Sequence, residues 1–412
     1  MLNDRKIPEL MAPAGDWVML SAAINAGADA VYFGINKLNM RAKAANFTID
    51  ELPQIVRICK EKNIKTYLTL NTIIYEKELE ELGKIVSSAK SAGIDRIICW
   101  DLAATHTCKI NEMPFCVSTQ GSVSNSLSAS IYKQLGAVRI VLARECSLYE
   151  IKKIRANTDL EIEAFIHGAM CIAISGRCFI SHHLFGLGEN TGECIQPCRR
   201  EYEIKDTITG KQMLIGEDYV LSAKDLCTIE FIDKLIESGI DSFKIEGRKR
   251  SPEYVTRVVS VYRRAIDLYF KNKLTAEIKN DFLNELKEVY NRGFSSGFYF
   301  GKPGSEDYAD IYGSKATTKK EYIGRVLNYY KKSKIVYVIL ESGKIAVDNR
   351  ILIIGPTSGV VDLSLKKIVK DEIDINKAEK SDRITFPCDI LVRPHDRVYL
   401  VTSVPEEEIY SN

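Results

Sequence analysis

From Pro8 to about Arg248, short β-branched runs alternate with stretches whose apolar residues recur at helical period. That alternation is the signature of βα units building a parallel sheet. Nine runs are candidate strands: residues 10–14, 30–34, 66–71, 96–100, 115–119, 139–143, 161–166, 220–223 and 242–246. Helices are predicted between most of them, over 17–26, 51–62, 76–92, 126–135, 148–155 and 229–238. Nine strands are one more than a (β/α)8 barrel holds, so one run is peripheral or the barrel is irregular. A doubly wound open sheet is the alternative, but no Gly-x-Gly-x-x-Gly turn follows the first run. The expected fold class is α/β, a TIM-like (β/α) barrel.

Beyond Ser251-Pro252, helical period continues over 253–270 and 276–290, and a Gly-rich aromatic stretch follows from Asn291 to Pro303. From about Tyr322 the period changes to alternation, in runs 322–327, 334–341, 350–354, 360–369, 384–387 and 397–401. Short successive strands without helices predict a small all-β barrel. The domain plan is thus a TIM-like barrel over 1–290, a linker over 291–321 and a C-terminal β-barrel domain over 322–412.

The chain has 412 residues, 45% hydrophobic and 27% charged, with a formal net charge of +2. Such a balance is ordinary for a globular protein, so a nucleic-acid partner would need a local basic patch. One is available: Lys315, Lys319, Lys320, Arg325, Lys331, Lys332 and Lys334 are interleaved with Tyr322, Tyr329 and Tyr330. Phosphate neutralisation plus stacking needs this combination, although lysines protecting a β-edge read the same way. Arg199-Arg200 and Lys249-Arg250 could extend the patch. The first residues are charged rather than apolar, and no run is long enough for a membrane helix. A cytoplasmic location without a membrane partner is expected, where thiols stay reduced.

Polar residues gather just after the candidate strands, where a barrel places its active site: Asp16, Asn71, Asp101, Gln120, Arg144, Glu145, His167, Asp225, Glu246 and Arg248. Any one alone reads as a cap or loop residue; their recurrence is the signal. The densest chemistry lies between Glu163 and Arg199. Four of the eleven cysteines fall there, Cys171, Cys178, Cys194 and Cys198, in a stretch broken by glycines. In a reducing compartment such clustering points to metal or catalysis before disulfides. Structural zinc prefers two close pairs, and only Cys194 and Cys198 are close, so the spacing suits an iron–sulfur cluster better than zinc or buried packing. His167 is a candidate for proton transfer or a histidine tied to loop backbone. Glu163 shares its strand face with Phe165 and His167, and an inward carboxylate there is functional or paired.

At these residues a resemblance becomes specific. Glu163-x-Phe165-x-x-Gly168-Ala169-Met170-Cys171 followed by Gly176-x-Cys178-x-x-Ser181 resembles the signature of the collagenase-like peptidases of family U32. The similarity extends through Met11 to Gly15, Tyr32 to Gly34, Arg144-Glu145 and Lys244 to Arg248, and covers essentially the whole chain. The family name implies proteolysis, which would need one of the four loop cysteines free beside a histidine, such as Cys171 with His167; neither Gly-x-Ser-x-Gly nor His-Glu-x-x-His occurs. Other members are hydroxylases, acting on a tRNA wobble uridine with prephenate, on rRNA, or on a small quinone. Length and the C-terminal β region look most like the tRNA enzymes. That implies a 4Fe–4S cluster on the four cysteines (zinc as the alternative), prephenate as co-substrate, and tRNA as partner, with a paralogous subunit as in the paired members. Glu163, His167, Arg144 and Glu145 are then the expected catalytic residues, and Arg199, Arg200, Lys319, Lys320, Lys331 and Lys332 the expected RNA contacts.

Overall fold

The computed structural model describes residues 6–42, 44–188, 192–200, 202–215, 221–310 and 313–409. Eight parallel strands close into a barrel: Glu9–Pro13 (β1), Ala30–Phe33 (β2), Lys65–Thr69 (β3), Arg96–Cys99 (β4), Phe115–Val117 (β5), Arg139–Val141 (β6), Glu161–Gly168 (β7) and Ser242–Ile245 (β8). Each pairs with its successor, and β8 pairs with both β7 and β1, which shuts the ring. The strands read as near-continuous apolar runs because both faces are covered, by helices outside and by packing within.

The supernumerary run is 220–223. Val220 lies outside the described residues, and Ala223 makes only an isolated bridge to Tyr308. The strand here is Asp225–Cys227, which runs antiparallel to the end of β7 and carries Phe294–Ser295 on its other side, so it lies outside the barrel ring. All six predicted helices form, and Asp16 caps the first by accepting from the Met19 amide at 2.8 Å. A helix at Leu102–Ile110 was not expected. Its buried face is Ala104, Thr105 and Cys108, too small and polar to register as an apolar stripe, while Leu102 and Ile110 point to solvent. The long helix Pro252–Phe270 carries the opposite signal, burying a stripe from Tyr254 to Ile266 against β1 and the helix Trp17–Asn25.

The C-terminal region is an antiparallel sheet of eight strands around its own core of residues such as Ile323, Val338, Ile353 and Phe386. Its longest strand, Thr318–Tyr330, begins four residues ahead of the expected start. The sheet packs on the barrel's outer helices. Gly359 lies so close to the helix Trp17–Asn25 that a Cβ there would sit 2.9 Å from the Ala22 amide, and Arg257 reaches Asp362 at 2.9 Å.

Inside the barrel, the lower layers are not wholly apolar. Arg139, 2% exposed, sits between Glu9 at 2.7 Å, Glu161 at 2.6 Å and Glu163 at 3.0 Å. Glu163 passes the chain upward to Lys244 at 2.8 Å. Removing one partner of a buried ion network strands the others without water. Arg139→Met should therefore cost about 3–5 kcal/mol, read as a lower urea midpoint at unchanged slope. A shift below about 1 kcal/mol would show that the carboxylates find other partners.

Candidate functional site

A cavity opens at the C-terminal ends of the barrel strands. Its floor is Tyr32 of β2, Thr69 of β3, Ile98 of β4, Val141 of β6, Phe165 of β7 and Lys244 of β8. Loops after the strands add Arg41, Asn71, Gln120, Arg144, Glu246, Arg248 and Lys249, and the cysteine loop forms one wall. Of the charged residues on the lining, Arg41, Arg144, Arg199, Lys244, Arg248 and Lys249 are cations, and Glu246 is the single carboxylate.

The cations are held by fixed partners. Lys244 donates to Glu163 beneath it at 2.8 Å and lies 4.4 Å from the centre of the Tyr32 ring. The Tyr32 hydroxyl donates to Ile245 O at 2.9 Å and to Glu246 at 3.1 Å. Burial pushes the Glu246 carboxyl up, but Arg41, Arg144, the Tyr32 hydroxyl and Arg248 outweigh it and hold the group below its usual range. Arg248 donates to Asn39 and Thr69, both at 3.1 Å, while its buried Nε has no hydrogen-bond partner. Burial, aided by Arg41, lowers its guanidinium to about 10 against the pull of Tyr32 and Glu246. Arg144 donates to Ala169 O at 2.6 Å, lies over the Phe165 ring at 4.1 Å, and also leaves its Nε without a partner. A cavity lined by six cations and a single carboxylate attracts anions.

Cys171, Cys178, Cys194 and Cys198 all line this cavity and are half-buried. The loop leaves β7 at Gly168, whose φ is +109° and whose added Cβ would sit 2.5 Å from Glu246 O, so only glycine fits that turn. Glu145 pins the loop by accepting from the Ser175 amide and hydroxyl, both at 2.8 Å. Arg199 pins its far end, donating to Met170 O, to Ser222 Oγ at 2.8 Å and to Ala223 O at 2.9 Å. Backbone amides point at sulfur twice, from Ile180 to Cys178 at 3.4 Å and from Gln196 to Cys194 at 3.3 Å. Cysteine sulfur is the donor set for zinc or an iron–sulfur cluster. By donor chemistry and shared wall, the residues fit such a group. Among the described residues, however, no three His, Cys, Asp or Glu side chains stand close enough to hold a metal ion. The four sulfurs share a cavity without forming a closed coordination shell.

The expected catalytic residues divide. Arg144 lines the cavity, and Glu145 acts one step back by holding Ser175. Glu163 does not reach the cavity; it is fully buried between Arg139 and Lys244. His167 is also displaced. β7 bulges between Phe165 and His167, which pair with the adjacent residues Lys244 and Ile245 of β8. The inserted residue breaks the alternation and turns the imidazole away from the cavity. There it meets Tyr262, with Nδ1 3.3 Å from the hydroxyl, and packs against Tyr254 and Phe294. Lys244 was missed, although a lysine in the middle of an apolar barrel strand is itself a signal. Asp16 and Asp101, by contrast, cap helices.

The expected RNA contacts do not form one patch. Arg199 is tied inside the loop. Lys319 pairs with Glu408 at 3.1 Å and Lys320 with Glu253 at 2.8 Å. Lys331 and Lys332 are exposed in the turn beyond Tyr330, roughly 40 Å further along at about 3.3 Å per residue. Arg200 is exposed, its guanidinium 4.6 Å from the Phe185 ring centre.

A closed (β/α)8 barrel whose mouth is walled by a four-cysteine loop defines the class. The chain belongs to peptidase family U32, whose profile matches residues 15–309. It is 41% identical over 403 residues to an uncharacterized protease of Methanocaldococcus jannaschii, covering 95% of this chain and 98% of that one. A collagenase of Porphyromonas gingivalis is 38% identical over 403 residues, with coverage of 95% and 97%. The tRNA hydroxylation protein P1 of Bacillus subtilis is 40% identical over 338 residues, 80% of each chain. No helix among the described residues is long and apolar enough to cross a membrane.

Burial lowers the His167 imidazole from its ordinary 6.5 to about 4, against an upward pull from Asp225. As pH falls, the unfolded chain takes the proton first, so stability from this site is complete above 6.5 and lost progressively toward 4. His167→Phe should flatten that acid slope, by on the order of 3 kcal/mol between the two limits. Urea titrations across this pH range check it; an unchanged slope would mean the buried ring is not the group responsible.

Proposed function

We propose that the protein is an RNA-modifying hydroxylase that converts the tRNA wobble uridine to 5-hydroxyuridine, with prephenate as co-substrate. The observation that carries this reading is the wall of four thiols on a cation-rich barrel mouth, in a chain 40% identical to a tRNA hydroxylation protein across 80% of its length. Cys171, Cys178, Cys194 and Cys198 would hold a 4Fe–4S cluster, which supplies electron-transfer chemistry at the cavity. Prephenate carries two carboxylates, and Lys244, Arg41, Arg144 and Arg248, all on the cavity lining, would bind them. Tyr32 and Glu246 hold a proton between them at the cavity floor. The uridine must leave its stack to enter, which an anticodon-loop nucleotide does at low cost. A cluster bound by all four cysteines would leave no free thiol on the cavity wall. No histidine lines the cavity, and His167, the base expected beside Cys171, is turned toward Tyr262. The placement of the histidines weighs against a cysteine peptidase.

Comparison of tRNA nucleosides by mass spectrometry, with and without the gene, should show loss of 5-hydroxyuridine-derived species in its absence. Unchanged levels would reject the reading. Anaerobically purified protein should contain iron and sulfide near four of each per chain, and Cys194→Ser should lose both together with modification; activity retained without iron would remove the cluster from the reaction. Lys244→Met should raise KM for prephenate roughly 10- to 100-fold while leaving iron content unchanged.

A further inference from the structure

The outward side of the cysteine loop carries large apolar side chains that packing does not explain. Ile174 is 69% exposed, Phe179 77% and Ile195 38%. Each is a sequence neighbour of a residue that faces the cavity: Ser175 for Ile174, Cys178 and Ile180 for Phe179, Cys194 and Gln196 for Ile195. The loop therefore turns sulfur and polar atoms inward and apolar groups outward around the same mouth. Phe185, 41% exposed, extends this face with the Arg200 guanidinium stacked on it. Four large apolar side chains left exposed on one short loop around a cavity mouth are the kind of surface that interaction sites carry.

Charge narrows the occupant. From Cys171 to Gly188 the chain contains no Asp or Glu, whereas Arg177, His182 and His183 are exposed there. Open aromatic rings among cations, with no carboxylate between Cys171 and Gly188 to repel phosphate, fit single-stranded nucleic acid. A nucleotide drawn into the cavity gives up its stacking neighbours, and those neighbours need a replacement surface beside the mouth.

We propose that this outward face is a stacking platform for the unpaired RNA bases flanking the target nucleotide, with Phe179 as its ring and Arg200 as its phosphate contact. The inference rests on the RNA-modifying function proposed above. The platform is separate from the lysines of the C-terminal sheet: Lys319 pairs with Glu408 and Lys320 with Glu253, and Lys331 and Lys332 lie in the turn beyond Tyr330.

Equilibrium binding of the full-length protein to a fluorescent tRNA anticodon stem–loop tests it, with the same stem closed as a plain duplex for comparison. Phe179→Ala should weaken stem–loop binding roughly 5- to 100-fold with an unchanged salt slope. Phe179→Trp should restore it, and duplex binding should not move. Arg200→Ala should lower the salt slope by about one. Lys331→Ala/Lys332→Ala should bind as the parent does, and thermal unfolding confirms that each variant is folded. Parent protein that binds stem–loop equally with Phe179→Ala overturns the platform alone, including the case where the face serves a protein partner. Parent protein that binds neither RNA defeats the underlying function and the platform with it.

Discussion

The ion chain from Arg139 through Glu163 to Lys244 is what the site stands on. A barrel interior is normally filled by layers of branched apolar side chains. Here a guanidinium, a fully buried carboxylate and an ammonium occupy consecutive layers, each with its partner within 3.0 Å. Charges buried this deeply persist only while paired, since the desolvation penalty otherwise exceeds any gain. The upper end of the chain is the cavity floor, where Lys244 presents its remaining donors beneath Tyr32 and Glu246. The cation at the floor is therefore positioned from below, by residues that never reach the cavity. Stability and electrostatics of the mouth are joined through Glu163.

That coupling explains why part of the site could be read in the amino-acid sequence and part could not. The βα alternation is legible because parallel strands are apolar on both faces, and all eight barrel strands fall where their runs predict. The run at 220–223 misleads because its composition matches a strand while its place in the ring is already filled by β8. Polar residues after strands are legible as a set, but pattern alone does not separate Asp16 and Asp101, which satisfy helix amides, from Asn71, Gln120, Glu246 and Arg248, which face the cavity. Alternation along β7 correctly turned Glu163 inward as a paired carboxylate. It failed at His167 because one inserted residue reverses the facing of everything after it. A bulge leaves no compositional trace in β7.

The lysine run is dispersed for a different reason. Residues close in sequence along an extended strand move apart at about 3.3 Å each, so a basic stretch that looks like a cluster becomes a line with its members paired to different neighbours. The exposed apolar face of the cysteine loop was overlooked for the converse reason. Ile174, Phe179 and Ile195 read as ordinary core-forming residues, and only the inward commitment of the residues beside them shows that they have nowhere to pack.

The cysteine loop combines firm anchors with unclosed ligands. Glu145 holds Ser175, Arg199 ties the far end to Met170, Ser222 and Ala223, and Lys249 donates to Cys194 O at 3.0 Å. Each of these contacts grips backbone or hydroxyl, so the frame of the loop is set without using sulfur. Thiolate ligands must be deprotonated and gathered together, so the binding energy of a soft-metal group is drawn on to order the chain that holds it. A soft-metal group held by the four thiols would draw that cost from the loop rather than the barrel, because Cys171, Cys178, Cys194 and Cys198 all lie beyond the end of β7 and none sits on a barrel strand.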